Sequence, residues 1–268
     1  MTDLREALEF SKKTILKAGK LLLETQQSVK VKGHKDRVDI VTNVDIETEK
    51  LIISAIEKKY PTHSISSEEK GFIDKKSPYL WIIDPLDGTK EYFRQIPSYN
   101  ASLCLLFNEI PILSAVYLPY SNQIFSAADK IGAFLNGEKI KVNSQAVLKN
   151  SIIYLHPPCF GKLPEKDFEK NFIKIKELTK NVYRLRYHQN QNTFLCFLAL
   201  GSAEAYINFS YPPSMEDFAP GLFIAKMAGA KITDLKGEKI DLGKSKQLYI
   251  ASNGKIHEQV LKVINNNA

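Results

Sequence analysis

Leu4, Ala7, Leu8, Ile15, Ala18 and Leu22 recur at the spacing of one helical face, which predicts a long amphipathic helix over residues 3–27. A second stripe, Leu51, Ile52, Ala55 and Ile56, follows the loop KVKGHKDRVDIV. Thr42 with Asp45 three positions on is a helix-start arrangement, and Tyr60-Pro61 ends this second helix. Beyond residue 78 the pattern changes. YLWIID, SLCLLF, ILSAVYL and QIFSAAD are short apolar runs joined by turns, and LNGEKIKV adds a strand after an Asn-Gly turn; together they predict a largely antiparallel sheet.

After an irregular link around HPPCFGKLP, helical periodicity returns at 165–180 and at 193–200, where Gly201 stops it. AYINF is a short strand. EDFAPGLFIAKMAGA predicts a helix, with Pro220 placed in its first turn, where a missing N–H costs nothing. KITDL and QLYIAS are strands, and IHEQVLKVI is a closing helix. This order predicts an α+β protein of stacked helix and sheet layers rather than a regular βαβ array.

The length, 268 residues, suits one large or two modest domains, and 44% hydrophobic with 25% charged residues affords a core. No run approaches the roughly 18 apolar residues of a membrane span, and MTDLREALEFSKK has no signal-peptide core. The expectation is a cytoplasmic protein without a membrane span. The net charge of +7 is spread over clusters such as KKT, KGHK and KSK, a solvated surface that can steer small polyanions. No basic stripe interleaved with aromatics points to a nucleic-acid polymer. Cys104, Cys159 and Cys196 are odd in number and lack a CxxC pair, so they are expected as reduced core or near-core thiols. The histidines form no HxxxH or HExxH pattern, so a zinc site of the common kinds is not expected. Any metal must be held by oxygen.

WIIDPLDGTKEYF places Asp84, Asp87, Gly88 and Thr89 where a buried strand ends. Two carboxylates this close repel each other unless a cation lies between them, and paired carboxylates with a loop carbonyl form a partial cage for a hard cation such as Mg²⁺. SISSEEKG adds Glu68 and Glu69, and SMEDFAPG adds Glu216 and Asp217. Asp45, Glu216 and Asp217 each also have a plain explanation, as acids in the first turn of a helix. The DxxD spacing disfavours an aspartyl nucleophile, which needs DxDxT, and no P-loop, GxSxG or GxGxxG is present.

Taken in order, Asp45, Glu68, Asp84xxAsp87-Gly88-Thr89 and Asp217 resemble the signature of the Mg²⁺-dependent, lithium-sensitive phosphomonoesterases of the inositol monophosphatase superfamily. That superfamily includes fructose-1,6-bisphosphatases and 3′(2′),5′-bisphosphate nucleotidases. DIVTNVD, ISSEE and DPLDGTKEYF are most similar to the bacterial bisphosphate nucleotidases. The resemblance implies a layered αβαβα sandwich of the sugar-phosphatase type with a largely antiparallel first sheet. Residues 1–150 would carry most metal ligands and 151–268 the last aspartate, in one compact catalytic unit.

The activity implied is removal of the 3′-phosphate of 3′-phosphoadenosine 5′-phosphate by a metal-activated water, giving AMP. Two or three Mg²⁺ would be held by Glu68, Asp84, the Leu86 carbonyl, Asp87 and Asp217. Asp45, Thr89 and Glu68 would be catalytic. The substrate would meet Glu68, Leu86, Asp87, Gly88, Thr89 and Asp217, with the Gly88 and Thr89 amides on phosphate oxygens. A homodimer is also implied.

Two departures stand out. The family's WDxAAG is Met215-Glu216-Asp217-Phe218-Ala219-Pro220-Gly221 here, leaving Glu216 either to crowd a metal or to point to water. Its GSSxK is replaced by Asn190-Gln191-Asn192-Thr193, without the lysine. These departures keep an inositol or sugar monophosphatase, and an inactive binding protein on the same fold, as alternatives.

Overall fold

The computed structural model describes residues 3–34, 40–211, 213–243 and 248–266. Part of the loop before the second helix and the KSK cluster fall outside them. In chain order the elements are α1 (Leu4–Thr25), β1 (Val31–His34), β2 (Ile40–Thr42), α2 (Asn43–Lys59), β3 (Ser64–Ser67), β4 (Gly71–Ile73), β5 (Tyr79–Asp87) and α3 (Thr89–Phe93). There follow β6 (Asn100–Phe107), β7 (Ile110–Leu118), β8 (Gln123–Ala128), β9 (Gly132–Leu135), β10 (Glu138–Ile140), β11 (Ile152–His156), α4 (Glu165–Asn181) and β12 (Arg184–Tyr187). The chain closes with α5 (Gln191–Ala199), β13 (Ala205–Asn208), α6 (Met215–Met227), β14 (Lys231–Thr233), β15 (Ile250–Ser252) and α7 (His257–Asn265).

An 8-stranded sheet runs β10-β9-β8-β7-β6-β5-β3-β4, and a 5-stranded sheet runs β12-β11-β13-β15-β14. The first is antiparallel except for the parallel pair β3 and β5. In the second, β11 pairs in parallel with both β12 and β13.

Period-two alternation lets one strand serve two layers. Along β7, Leu113, Ala115 and Tyr117 pack with Ala7, Ile15, Ala18 and Leu22 of α1, whereas Val116 and Leu118 pack with Leu195 of α5 and Leu222 of α6. The second sheet repeats the arrangement. Tyr206 and Ala251 face α5 and α6, while Ile153, Leu155, Ile207 and Ile250 face Ile175 of α4 and Val260 of α7. The stacking is therefore αβαβα, as the resemblance implied.

Several elements differ from expectation. β11 and β12 were not predicted: β12 is a largely exposed edge strand in which arginines alternate with Leu185 and Tyr187, while β11, Ile152–His156, is a short buried apolar run that offered a signal and was passed over. β5 does not end at Asp84 but continues to Asp87. Pro220 is the sixth residue of α6, not part of its first turn. Cys104 and Cys196 are buried as expected, but Cys159, in the link between β11 and α4, is exposed.

Candidate active site

The end of β5 explains how two aspartates three positions apart come to share a face. Asp84 pairs with Ser102 and Asp87 with Asn100 on β6, so a bulge places three steps of β5 against two of β6. In a regular strand an odd offset puts side chains on opposite faces; the extra residue returns both carboxylates to the same face. Pro85 fits there because a bulge releases it from donating to the ladder. Gly88 then turns the chain with φ 89°, and a Cβ on it would lie 2.4 Å from Asn190 Nδ2 and 2.7 Å from the Ser98 carbonyl.

Helix α2 contributes two acids one turn apart. Thr42 N donates to Asp45 Oδ2 at 2.8 Å, completing the predicted capping box, while Thr89 Oγ1 donates to Asp45 Oδ1 at 2.9 Å. Burial pushes the Asp45 carboxyl above its usual range, against its hydrogen bonds to Thr42 and Thr89. Glu49 sits on the same face. Its Oε1 accepts from the amides of Glu69 at 2.9 Å and Lys70 at 3.0 Å, and so fixes the loop that begins at Glu68. Sequence reasoning missed Glu49, although its position four residues after Asp45 was a usable signal.

Asn100 was also missed. Its Nδ2 donates to Asp87 Oδ2 at 2.7 Å and to Thr193 Oγ1 at 3.0 Å. Asp217 is held at the start of α6, where Ser214 N and Ser214 Oγ donate to its Oδ2 at 3.1 and 2.9 Å. Glu216 adds its negative charge to Asp217, whose pKa it helps, after burial and Glu68, to raise. It accepts from Ser66 Oγ at 2.7 Å, which ties α6 to β3.

Glu68, Asp84, Leu86, Asp87, Gly88, Thr89 and Asp217 all line one cavity of about 290 Å³. Asp45 adjoins it through Thr89. Lys90 of the DPLDGTKEYF stretch and Asn190 of the segment that replaces GSSxK line the same cavity, joined by His156, Lys162 and Tyr211, which did not stand out in the sequence. Burial and the charge of Lys90 lower the His156 pKa to about 4, leaving its ring neutral. Burial, and then the charge of Glu68, push Asp217 up to about 6. Asp87 is raised well above the carboxylate range, first by burial and then by Asp217.

Mutual repulsion of this kind is what a cation relieves, and the Oδ1 of Asn100 beside Asp87 is buried without a hydrogen-bond partner. Among the described residues no group of three or more acids stands close enough to hold a metal by itself; the acids line one cavity with the Leu86 backbone, a donor chemistry of carboxylate and carbonyl oxygens that suits a hard cation such as Mg²⁺, which completes its shell with waters and phosphate.

The profile of the inositol monophosphatase family matches residues 3–268. A Thermotoga maritima protein named fructose-1,6-bisphosphatase/inositol-1-monophosphatase is 33% identical over 265 residues, covering 97% of this chain and 96% of that one. The solved T. maritima inositol monophosphatase superposes with a TM-score of 0.85 at 30% identity, covering 97% of each chain. An inositol monophosphatase/NADP phosphatase solved with Mg²⁺ and phosphate gives a TM-score of 0.84 at 25% identity, covering 99% of this chain and 97% of that one.

Proposed function

The chain belongs to the inositol monophosphatase family and is a phosphoric monoester hydrolase, and from that premise we propose that its substrate is 3′-phosphoadenosine 5′-phosphate, hydrolysed with Mg²⁺ to AMP and phosphate. One observation carries this reading: the lining of one cavity brings together the acids Glu68, Asp84, Asp87 and Asp217 and the cations Lys90 and Lys162. The acids suit a cation and the phosphoryl group undergoing hydrolysis. The lysines suit a second phosphate, which a bisphosphate has and a simple monophosphate lacks. The Lys90-Glu91 tail of the DPLDGT segment supports the same branch.

In this reading Glu68, Asp84, the Leu86 carbonyl, Asp87 and Asp217 hold two or three Mg²⁺. Bound there, Mg²⁺ would neutralise phosphoryl charge and acidify the attacking water. Thr89 Oγ1 donates to Asp45 Oδ1 at 2.9 Å, so a proton leaving that water would pass to the Thr89 hydroxyl as the hydroxyl's own proton moves to the Asp45 carboxylate. Glu68 flanks the same water, and the Gly88 and Thr89 amides receive phosphate oxygens. Residues 1–150 and 151–268 act as one catalytic unit, in a homodimer that light scattering would detect.

The second reading is an inositol or sugar monophosphatase. It is favoured by Asn190, which lines the cavity within the segment where the nucleotidase pattern has GSSxK, and by the names of the T. maritima relatives. A phosphomonoester panel with Mg²⁺, with and without millimolar lithium, separates the two. Turnover of the nucleotide no better than of inositol 1-phosphate would overturn the first. If Asp84→Asn lowers kcat by at least ~10², as loss of a ligand shared by two metals predicts, a phosphatase is at work; unchanged release in that variant would return the site to a binding role.

A further inference from the structure

We propose that Asn192 is a positioning residue: its side-chain amide replaces the backbone donor that Pro220 removes from α6, and thereby fixes the carboxylate of Asp217. This rests on the reading of Asp217 as part of the metal and phosphate site.

In an α-helix the carbonyl of residue 216 accepts from the N–H of residue 220. Proline has no N–H, so within α6 that carbonyl loses its partner. Asn192 Nδ2 donates to the Glu216 carbonyl at 2.9 Å, and Asn192 Oδ1 accepts from Gly221 N at 2.9 Å. The amide thus spans the defect, meeting the acceptor below the proline and the donor above it. It reaches this far because α5 and α6 touch backbone to backbone: a Cβ on Gly221 would lie 2.8 Å from Asn192 Cα and 2.9 Å from its carbonyl oxygen. Asn192 is 0% exposed, so no water can take its place without rearrangement.

The Glu216 carbonyl belongs to the same peptide plane as the Asp217 N–H. Holding it sets the direction in which the first turn of α6 delivers Asp217 to the cleft. The next residue, Thr193, accepts from Asn100, which in turn donates to Asp87. The first turn of α5 therefore braces two acids of the cleft from behind. Asn192 and Pro220 are both departures from the family pattern, and the contact makes them one compensated change rather than two losses.

The test is a double-mutant cycle on the full chain with N192A, P220A and N192A/P220A, and with D217N as reference. Mn²⁺ affinity of the substrate-free protein, the Mg²⁺ half-saturation for kcat, KM and melting temperature are measured. N192A is expected to weaken metal binding about tenfold, with a larger effect on Mg²⁺ half-saturation than on KM. P220A is expected to bind metal within about twofold of the wild type. N192A/P220A should recover most of the loss, because alanine in place of the proline returns the N–H that the Glu216 carbonyl lacks.

Additive effects in the double variant, or an N192A protein with lowered melting temperature and unchanged metal affinity, would overturn the proposal. If N192A does not fold, recovery of folded, metal-binding protein in the double variant is the same rescue, and failure of both counts against it. D217N binding metal as tightly as the wild type would instead remove the site reading beneath the proposal.

Discussion

Asp217→Asn is expected to stabilise the metal-free protein while disabling it. The Asp217 pKa is raised from 3.8 to about 6, by burial first and by the charge of Glu68 second. A shift of about two units corresponds to roughly 3 kcal/mol of penalty on the charged form in the native state. Asn keeps the neutral form's shape and can still accept from Ser214, so about 2 kcal/mol of that should be recovered. The sign follows from linkage. A carboxylate whose native pKa lies above its unfolded value carries the full penalty above pH 6 and none below about pH 4. In EDTA at pH 7.5, D217N should therefore melt about 4–6 °C above the wild type, and the gap should narrow toward pH 5. Saturating Mg²⁺ should reverse the order, since ligand at a hundredfold its Kd adds about 2.7 kcal/mol to the protein that binds it. Scanning fluorimetry across pH 5–8, with EDTA and with Mg²⁺, reads this directly. If D217N melts at or below the wild type at pH 7.5 in EDTA, the repulsion argument for the cleft is wrong.

Asp45→Asn and Thr89→Val should each lower kcat by about 10²–10⁴, and the double variant should be little worse than either, because one hydrogen bond joins the two; steady-state kinetics with Mg²⁺ checks the non-additivity. Glu49→Ala should cost about 1–3 kcal/mol by leaving the Glu69 and Lys70 amides unpaired, and should raise the Mg²⁺ half-saturation through Glu68; urea unfolding and metal titration test both halves. His257 is buried, with its ring nitrogens on Thr233 Oγ1 and Ser252 Oγ at 2.9 and 2.8 Å, and burial lowers its pKa to about 4. The unfolded chain takes up a proton at this residue below about pH 6.5, so stability on the order of 2 kcal/mol should be lost between there and pH 4. In His257→Gln the slope of unfolding free energy against pH should flatten over that interval, and an unchanged slope would count against a neutral ring.

By itself the sequence determined the elements whose pattern is local. Leu4 to Leu22 trace one face of α1, Thr42 and Asp45 cap α2, and the apolar runs from Tyr79 to Ala128 alternate as strands do, because helical and strand periods are fixed by backbone geometry. It also singled out Asp45, Glu68, Asp84, Asp87 and Asp217, whose order carries the resemblance and which the fold gathers in and beside one cavity. What only the tertiary structure decided lies between segments far apart in the chain. DPLD does not say that a bulge against Asn100 and Ser102 brings both aspartates to one face, because register belongs to the partner strand. Glu49 and Asn100 look like ordinary polar residues until the loop and the carboxylate they hold come to rest against them. His156 of β11 and Lys162 of the link after it join Lys90 in the cavity lining only because the second sheet is docked beside the end of β5. Pro220 and Asn192, 28 positions apart by their numbers, look in the sequence like separate losses; packing α5 on α6 makes one the answer to the other, because a missing helical N–H is satisfied by whichever donor the fold places within 3 Å.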